Sequence, residues 1–296
     1  MDYSDHPPVI IVASSSAALV RARTSVEACG ARIGAVLGLS EACDRLRLQP
    51  GLRAVWIELD EDCGHEIDEL LSLIARDTLS ERYGSVVAIA PGLIDPAIAI
   101  LGDSPVQLLI EPDEVERAAA FALATSQLAI PLRAHDIASD QSAERLRQLS
   151  DEVGRIATTL ARLSTGPSIP SAPITKAADG QAAAVTADTV RSIIRARRLR
   201  ARFFREDLFA DPAWDMLLDL LQAELSHLRV PVSSLCIAAA VPATTALRWL
   251  KTMVQQGLFV RRADPHDGRR VFVELAPEAS RALHNYFAEV GAVPGI

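Results

Sequence analysis

The sequence predicts an α/β domain built on a doubly wound, five-stranded parallel sheet, followed by a smaller α+β domain of helices around one hairpin. Three observations carry this. Residues 8–131 alternate five short β-branched apolar runs with longer helical stretches. Residues 165–187 hold three prolines and two glycines with no apolar period, which marks a linker. Residues 188–290 then read as helices, a hairpin and a closing helix. At 296 residues the chain is about twice the usual size of one domain, so two domains are expected.

The five runs are Pro8–Ala13, Arg32–Leu37, Ala54–Leu59, Ser85–Ala90 and Val106–Ile110. Continuous apolar strands of this length are what a parallel sheet covered on both faces requires. Helical stretches such as Glu66–Tyr83 and Asp113–Leu128 lie between them. A (βα)5 count over residues 1–135 gives the doubly wound domain.

In strand order and length this domain resembles the receiver domain of bacterial response regulators. That family transfers a phosphoryl group with an acidic pair after the first strand, an aspartate after the third, a Ser/Thr after the fourth and a lysine after the fifth. Here the first strand ends in Ala13-Ser14-Ser15, the fourth in Ala90-Pro91-Gly92 and the fifth in Ile110-Glu111-Pro112. Ser14 and Ser15 cannot replace carboxylates for a hard cation, and Glu111 reverses the lysine's charge. Only the third strand keeps acids, at Glu58, Asp60, Glu61 and Asp62, read as a solvated acidic loop. The expectation is a degenerate receiver, kept for dimerisation or protein contact. A small-molecule sensor at the carboxyl edge of the sheet is the alternative. No glycine-rich phosphate fingerprint is present.

Residues 136–164 change character. Leu146, Leu149, Val153, Ile156, Leu160 and Leu163 are spaced 3, 4, 3, 4, 3, an a/d heptad seam. Globular helices show a wider apolar face, so the seam is read as a dimerisation coiled coil, the alternative being a helix packed on its own domain. Three heptads are marginal alone and need other dimer contacts. Residues 165–187 are the flexible linker.

In residues 188–296, Thr189–Leu208 reads as an arginine-rich helix. Asp211 with Pro212 opens a helix to about His227. Ser233–Ala239 is a short helix, and Pro242–Gln256 a longer one ended by Gly257. Phe259–Ala263 and Arg270–Leu275 are strands around Asp264-Pro-His-Asp-Gly268, and Pro277–Ala288 closes as a helix. This is the order of a winged helix-turn-helix. Val232–Leu258, with its small-residue turn, Thr244-Thr245 pair, Arg248 and Gly257-Leu258, resembles the MarR family of transcription regulators. Arg261–Leu275 resembles that family's wing, with Asp264-Pro265 and Asp267-Gly268-Arg269 before the second strand.

A recognition helix entering a major groove about 12 Å wide needs small leading residues with hydrogen-bonding tips. Ala243, Thr244 and Thr245 supply them, and Arg248 and Lys251 continue that face. Leu247, Leu250 and Val254 form the apolar face behind, and Trp249 reads as core or flank. By resemblance, Arg269 enters the minor groove with Asp267 orienting it. Arg261, Arg262 and Arg270 are placed to neutralise phosphates. Ser233 and Ser234 are expected to cap the short helix and also to donate to phosphate.

The net charge of −8 hides an asymmetry: residues 1–135 carry 20 acids and 10 bases, residues 186–296 carry 12 and 15. No apolar run reaches the ~18–20 residues of a membrane span, and the polar N-terminus is not a secretory signal. Cys29, Cys43, Cys63 and Cys236 lack metal or disulfide spacing and read as reduced thiols of a cytoplasmic protein. His227, His266 and His284 have no zinc spacing, and no catalytic arrangement emerges. The expectation is a homodimeric, non-enzymatic regulator of double-stranded DNA without metal or cofactor. Its acidic N-terminal domain offers a surface to a protein partner. The rivals are a phosphorylation-controlled response regulator and a protein-interaction adaptor whose winged domain does not bind DNA. Antiterminators that bind RNA share the receiver and coiled coil but lack a wing.

Overall fold

The computed structural model describes residues 7–126 and 185–290, which fall in one compact unit. The seam from Leu146 to Leu163 and the linker up to residue 184 lie outside the described residues.

Strands β1 (Val9–Ala13), β2 (Ile33–Leu37), β3 (Ala54–Leu59), β4 (Gly84–Ile89) and β5 (Gln107–Ile110) alternate with α1 (Ser16–Ala28), α2 (Leu39–Leu48), α3 (His65–Leu79), α4 (Ile94–Leu101) and α5 (Glu114–Ser126). All strand pairs are parallel, in the order β2-β1-β3-β4-β5, the flavodoxin-like doubly wound order. Successive side chains alternate faces. Ile10, Val12, Ile57, Leu59, Val87 and Ile89 pack under α2, α3 and α4, whereas Val9, Ile11, Trp56, Val86, Ala88 and Leu109 pack under α1 and α5. Gly84 permits α5 to approach: a Cβ there would lie 1.9 Å from the Ala124 carbonyl oxygen.

Two expectations in this half need correction. The helix expected over Glu66–Tyr83 stops at Leu79, because Glu81 turns left-handed at φ 55° and the chain is pinned just beyond it. The Arg82 guanidinium and the Tyr83 hydroxyl both donate to buried Asp77, at 2.8 and 3.0 Å. Arg82 also donates to the carbonyls of Leu46, Arg47 and Gln49, satisfying the open end of α2. Glu58 is not part of a solvated loop. It lies within β3, 3% exposed. Arg117 of α5 grips it with two hydrogen bonds of 2.7 and 2.8 Å, while Arg21 Nε and Trp56 Nε1 each donate at 3.0 Å.

The second half comprises α6 (Ala187–Leu199), α7 (Pro212–Leu225), β6 (Val230–Pro231), α8 (Val232–Ala238), α9 (Ala243–Gln255), β7 (Phe259–Ala263), β8 (Val271–Leu275) and α10 (Pro277–Val290). Thr186 caps α6 by accepting from the Thr189 N–H, and Asp211 caps α7 through the Trp214 N–H, with Pro212 at its start. The arginine helix expected to Leu208 ends at Leu199 and continues as 3-10 turns over Arg200–Arg202 and Glu206–Phe209. Arg195, Arg198 and Arg202 at spacings of three and four would repel along a continuous helix. Arg197 instead ties α6 to α7 by donating to Asp215 at 2.7 Å. The two-residue β6, not expected from sequence, pairs antiparallel with β8, so the wing is a three-stranded sheet ordered β6-β8-β7. One apolar core runs from the α2–α4 side of the first sheet into α7, α8, α9 and α10.

Candidate nucleic-acid interface

Helices α8 and α9 are joined by Ala239–Pro242 and differ in direction by 108°. That lies within the roughly 90–120° of a helix-turn-helix. The turn needs one left-handed residue, supplied by Ala240 at φ 52°. Gly257 ends α9 at φ 71° and returns the chain into β7. Leu250 is fully buried behind α9 with Ala246 and Met253, while Leu247, Trp249 and Val254 are half-buried around that core.

On the other side of α9, Arg248 and Lys251 are exposed, and Ala243 and Thr245 are half-buried. Thr244 is only 2% exposed. Its Oγ1 accepts from the Ile110 N–H at 3.1 Å and lies 3.4 Å from the Ile110 carbonyl, to which it donates. β5 is an edge strand, and Thr244 satisfies backbone groups that the edge leaves open. Ser233 does not cap α8, whose N-cap is Pro231 with no side-chain bond. Its N–H and hydroxyl donate instead to Asp95 of α4, at 3.0 and 2.5 Å. Ser234 is exposed.

In the wing, the Asp267 carboxylate accepts from the Arg269 N–H at 3.0 Å and pairs with Arg270 at 3.2 Å. It shapes the loop through the backbone and leaves the Arg269 guanidinium to other partners. That guanidinium donates to Asp62 at 2.7 Å, and its Nε lies 3.1 Å from Asp68 Oδ1, an ion pair without hydrogen-bond alignment. Its hydrogen bond, with the Gly64 N–H, holds the Asp62 carboxyl below its usual range. Arg261 donates to Asp103 at 3.0 Å, and Arg262 pairs across the hairpin with Glu274 at 2.6 Å.

The structure thus brings the sequence-predicted residues onto one helix-turn-helix and one hairpin. It splits them into an exposed set led by Arg248 and Lys251 and a set engaged by the first half: Ser233, Thr244, Arg261 and Arg269. The partners Asp68, Asp95 and Asp103 carried no sequence signal, since each is one surface acid among many.

Among the described residues no group of three or more His, Cys, Asp or Glu is placed to hold a metal, and no single helix is long and apolar enough to cross a membrane.

No family model matches this chain, and no curated protein matches it. Among solved structures, a probable transcriptional regulator from Pseudomonas aeruginosa aligns at 27% identity and a TM-score of 0.24, covering 36% of this chain and 80% of that one. The transcriptional regulator Tm0710 from Thermotoga maritima aligns at 19% identity and a TM-score of 0.23, covering 37% and 80%. Both alignments take in little more than a third of this chain, whose function is therefore read from its own residues.

Proposed function

We propose that this chain is a sequence-specific, double-stranded-DNA-binding transcription regulator that works as a cytoplasmic homodimer and catalyses no reaction. The observation that carries the reading is the 108° helix-turn-helix running into an arginine-bearing wing, with Arg248 and Lys251 exposed on its second helix. In that reading α9 lies in the major groove, where Thr245 and Arg248 meet base edges, and the β7–β8 loop reaches the minor groove. Arg262 and Arg270 neutralise phosphates, and Ser234 adds a neutral donor. The seam from Leu146 to Leu163 pairs two copies so that two recognition helices meet a pseudo-palindromic site.

The test is fluorescence anisotropy on duplexes selected from a random pool, across a salt series. Sequence-selective binding is expected, falling steeply with salt. Arg248→Ala/Lys251→Ala is expected to weaken it at least tenfold and to flatten the log–log salt slope by about one for each phosphate no longer neutralised. Absence of selection, or a double variant that binds like wild type, overturns the reading. The burial of Thr244 against β5 favours one rival, a winged domain that serves only as a protein-contact module. That rival predicts no DNA binding even after the winged block is freed from β5.

A further inference from the structure

We infer that the acidic first half of the chain is an intramolecular competitor of DNA: it occupies Ser233, Thr244, Arg261 and Arg269 on the DNA-facing side of the winged block and holds the protein in a closed, weakly binding form. This rests on the DNA-binding reading above.

The contact is specific to that surface. Residues from three separate elements each meet a partner in the first half: Ser233 of α8 meets Asp95, Thr244 of α9 meets the backbone of Ile110, and Arg261 and Arg269 of the wing meet Asp103 and the Asp62–Asp68 pair. Of the charged donors that a DNA backbone would recruit, Arg261 and Arg269 already hold carboxylates of the first half. A phosphate oxygen and a carboxylate oxygen satisfy a guanidinium in the same way, so Asp62, Asp68 and Asp103 stand where phosphates would. Thr244, one of the residues whose tip would read a base edge, is turned into a buried seat on β5. Leu247, Arg248 and Lys251 of α9 line a cavity of about 180 Å³ with Ile98, Leu101 and Leu108 of the first half. The duplex and the first half cannot hold this surface together. Apparent affinity is then the intrinsic affinity scaled by the fraction of open molecules.

The experiment compares three full-length proteins on the selected duplexes. The first is wild type. The second is Asp62→Asn/Asp68→Asn/Asp95→Ala/Asp103→Asn, which removes the four carboxylates of the contact. The third is Glu27→Gln/Asp44→Asn/Glu81→Gln/Glu114→Gln, four exposed acids away from the contact, which changes net charge equally. Circular dichroism melts establish that all three are folded. Binding at least tenfold tighter in the second protein than in the third supports the closed form. Wild type that binds DNA as tightly as the second protein, or a third protein that gains as much as the second, overturns the closed form and leaves the DNA reading standing. If none of the three binds any duplex at low salt, the DNA reading fails and the competitor falls with it.

Discussion

Glu58→Ala is expected to destabilise the protein by about 3–5 kcal/mol, the cost of removing one partner from a buried ion pair. The geometry sets that magnitude. The Glu58 side chain is 4% exposed and that of Arg117 is 10% exposed, so the guanidinium left behind has little access to water. Its remaining acceptors are the Pro112 carbonyl at 3.3 Å and Ser25 Oγ at 3.5 Å, neither of them charged. Trp56 Nε1 also loses its acceptor, whereas Arg21, 42% exposed, rehydrates. Against the roughly 5–15 kcal/mol of a typical domain this is a large fraction. Urea unfolding followed by circular dichroism reads the loss. Replacing both partners, as Glu58→Leu/Arg117→Met, is expected to cost less than the two single losses together, with coupling of about 2 kcal/mol. A Glu58→Ala loss below about 1 kcal/mol, or single losses that simply add, refutes the assignment of this pair as the buried strut between β3 and α5.

Three further outcomes are set by the same geometry. Asp60 accepts from Ser15 Oγ at 2.7 Å and pairs with Arg21; incubation with acetyl phosphate and Mg²⁺ is expected to leave the intact mass unchanged, and a gain of one phosphoryl group on Asp60 revives the response-regulator rival. The lowered Asp62 carboxyl gives its pairing with Arg269 a stabilisation present above the free-carboxyl value of about 3.9 and lost as pH falls through the depressed one. A fluorophore pair spanning sheet and wing should therefore keep constant transfer efficiency from pH 8 to 5, and opening near pH 6 contradicts this. Burial, with Asp95 adding, pushes the Cys236 thiol up to about 12, so at pH 8 iodoacetamide should label exposed Cys63 and label Cys236 slower by about two orders of magnitude. Peptide mass mapping over time separates the two.

Features that depend on neighbours along the chain were legible in the sequence. The Ala54–Leu59 run is β3 to the residue because five of its six positions, all but Glu58, are apolar and specify a strand buried on both faces. The Asp211-Pro212 pair and Gly257 mark helix ends by backbone chemistry that acts within a few residues. Features that depend on distant partners were not legible. Glu58 and Arg117 are 59 residues apart, and Thr244 and Ile110 are 134 apart. A periodicity argument can place Thr244 on the leading turn of α9, but it cannot say that a sheet edge waits there. Glu58 looks like its acidic neighbours because charge, unlike apolar period, carries no mark of burial.

The charge asymmetry acquires a mechanical sense from the way the first half meets the wing. A chain with 38 acids and 30 bases should repel DNA as a whole, yet part of the excess acid sits against the wing at short range. DNA binding by the closed form must break the Arg261–Asp103 and Arg269–Asp62 pairs, and the liberated carboxylates then recruit cations. That uptake offsets part of the cation release from the duplex, which otherwise sets a log–log slope of about −0.9 per phosphate contact. Wild type should therefore show a salt slope shallower by about one to two than the variant lacking Asp62, Asp68, Asp95 and Asp103. Equal slopes in the two proteins would mean that these ion pairs survive DNA binding, and the carboxylates could not then be standing in for phosphates.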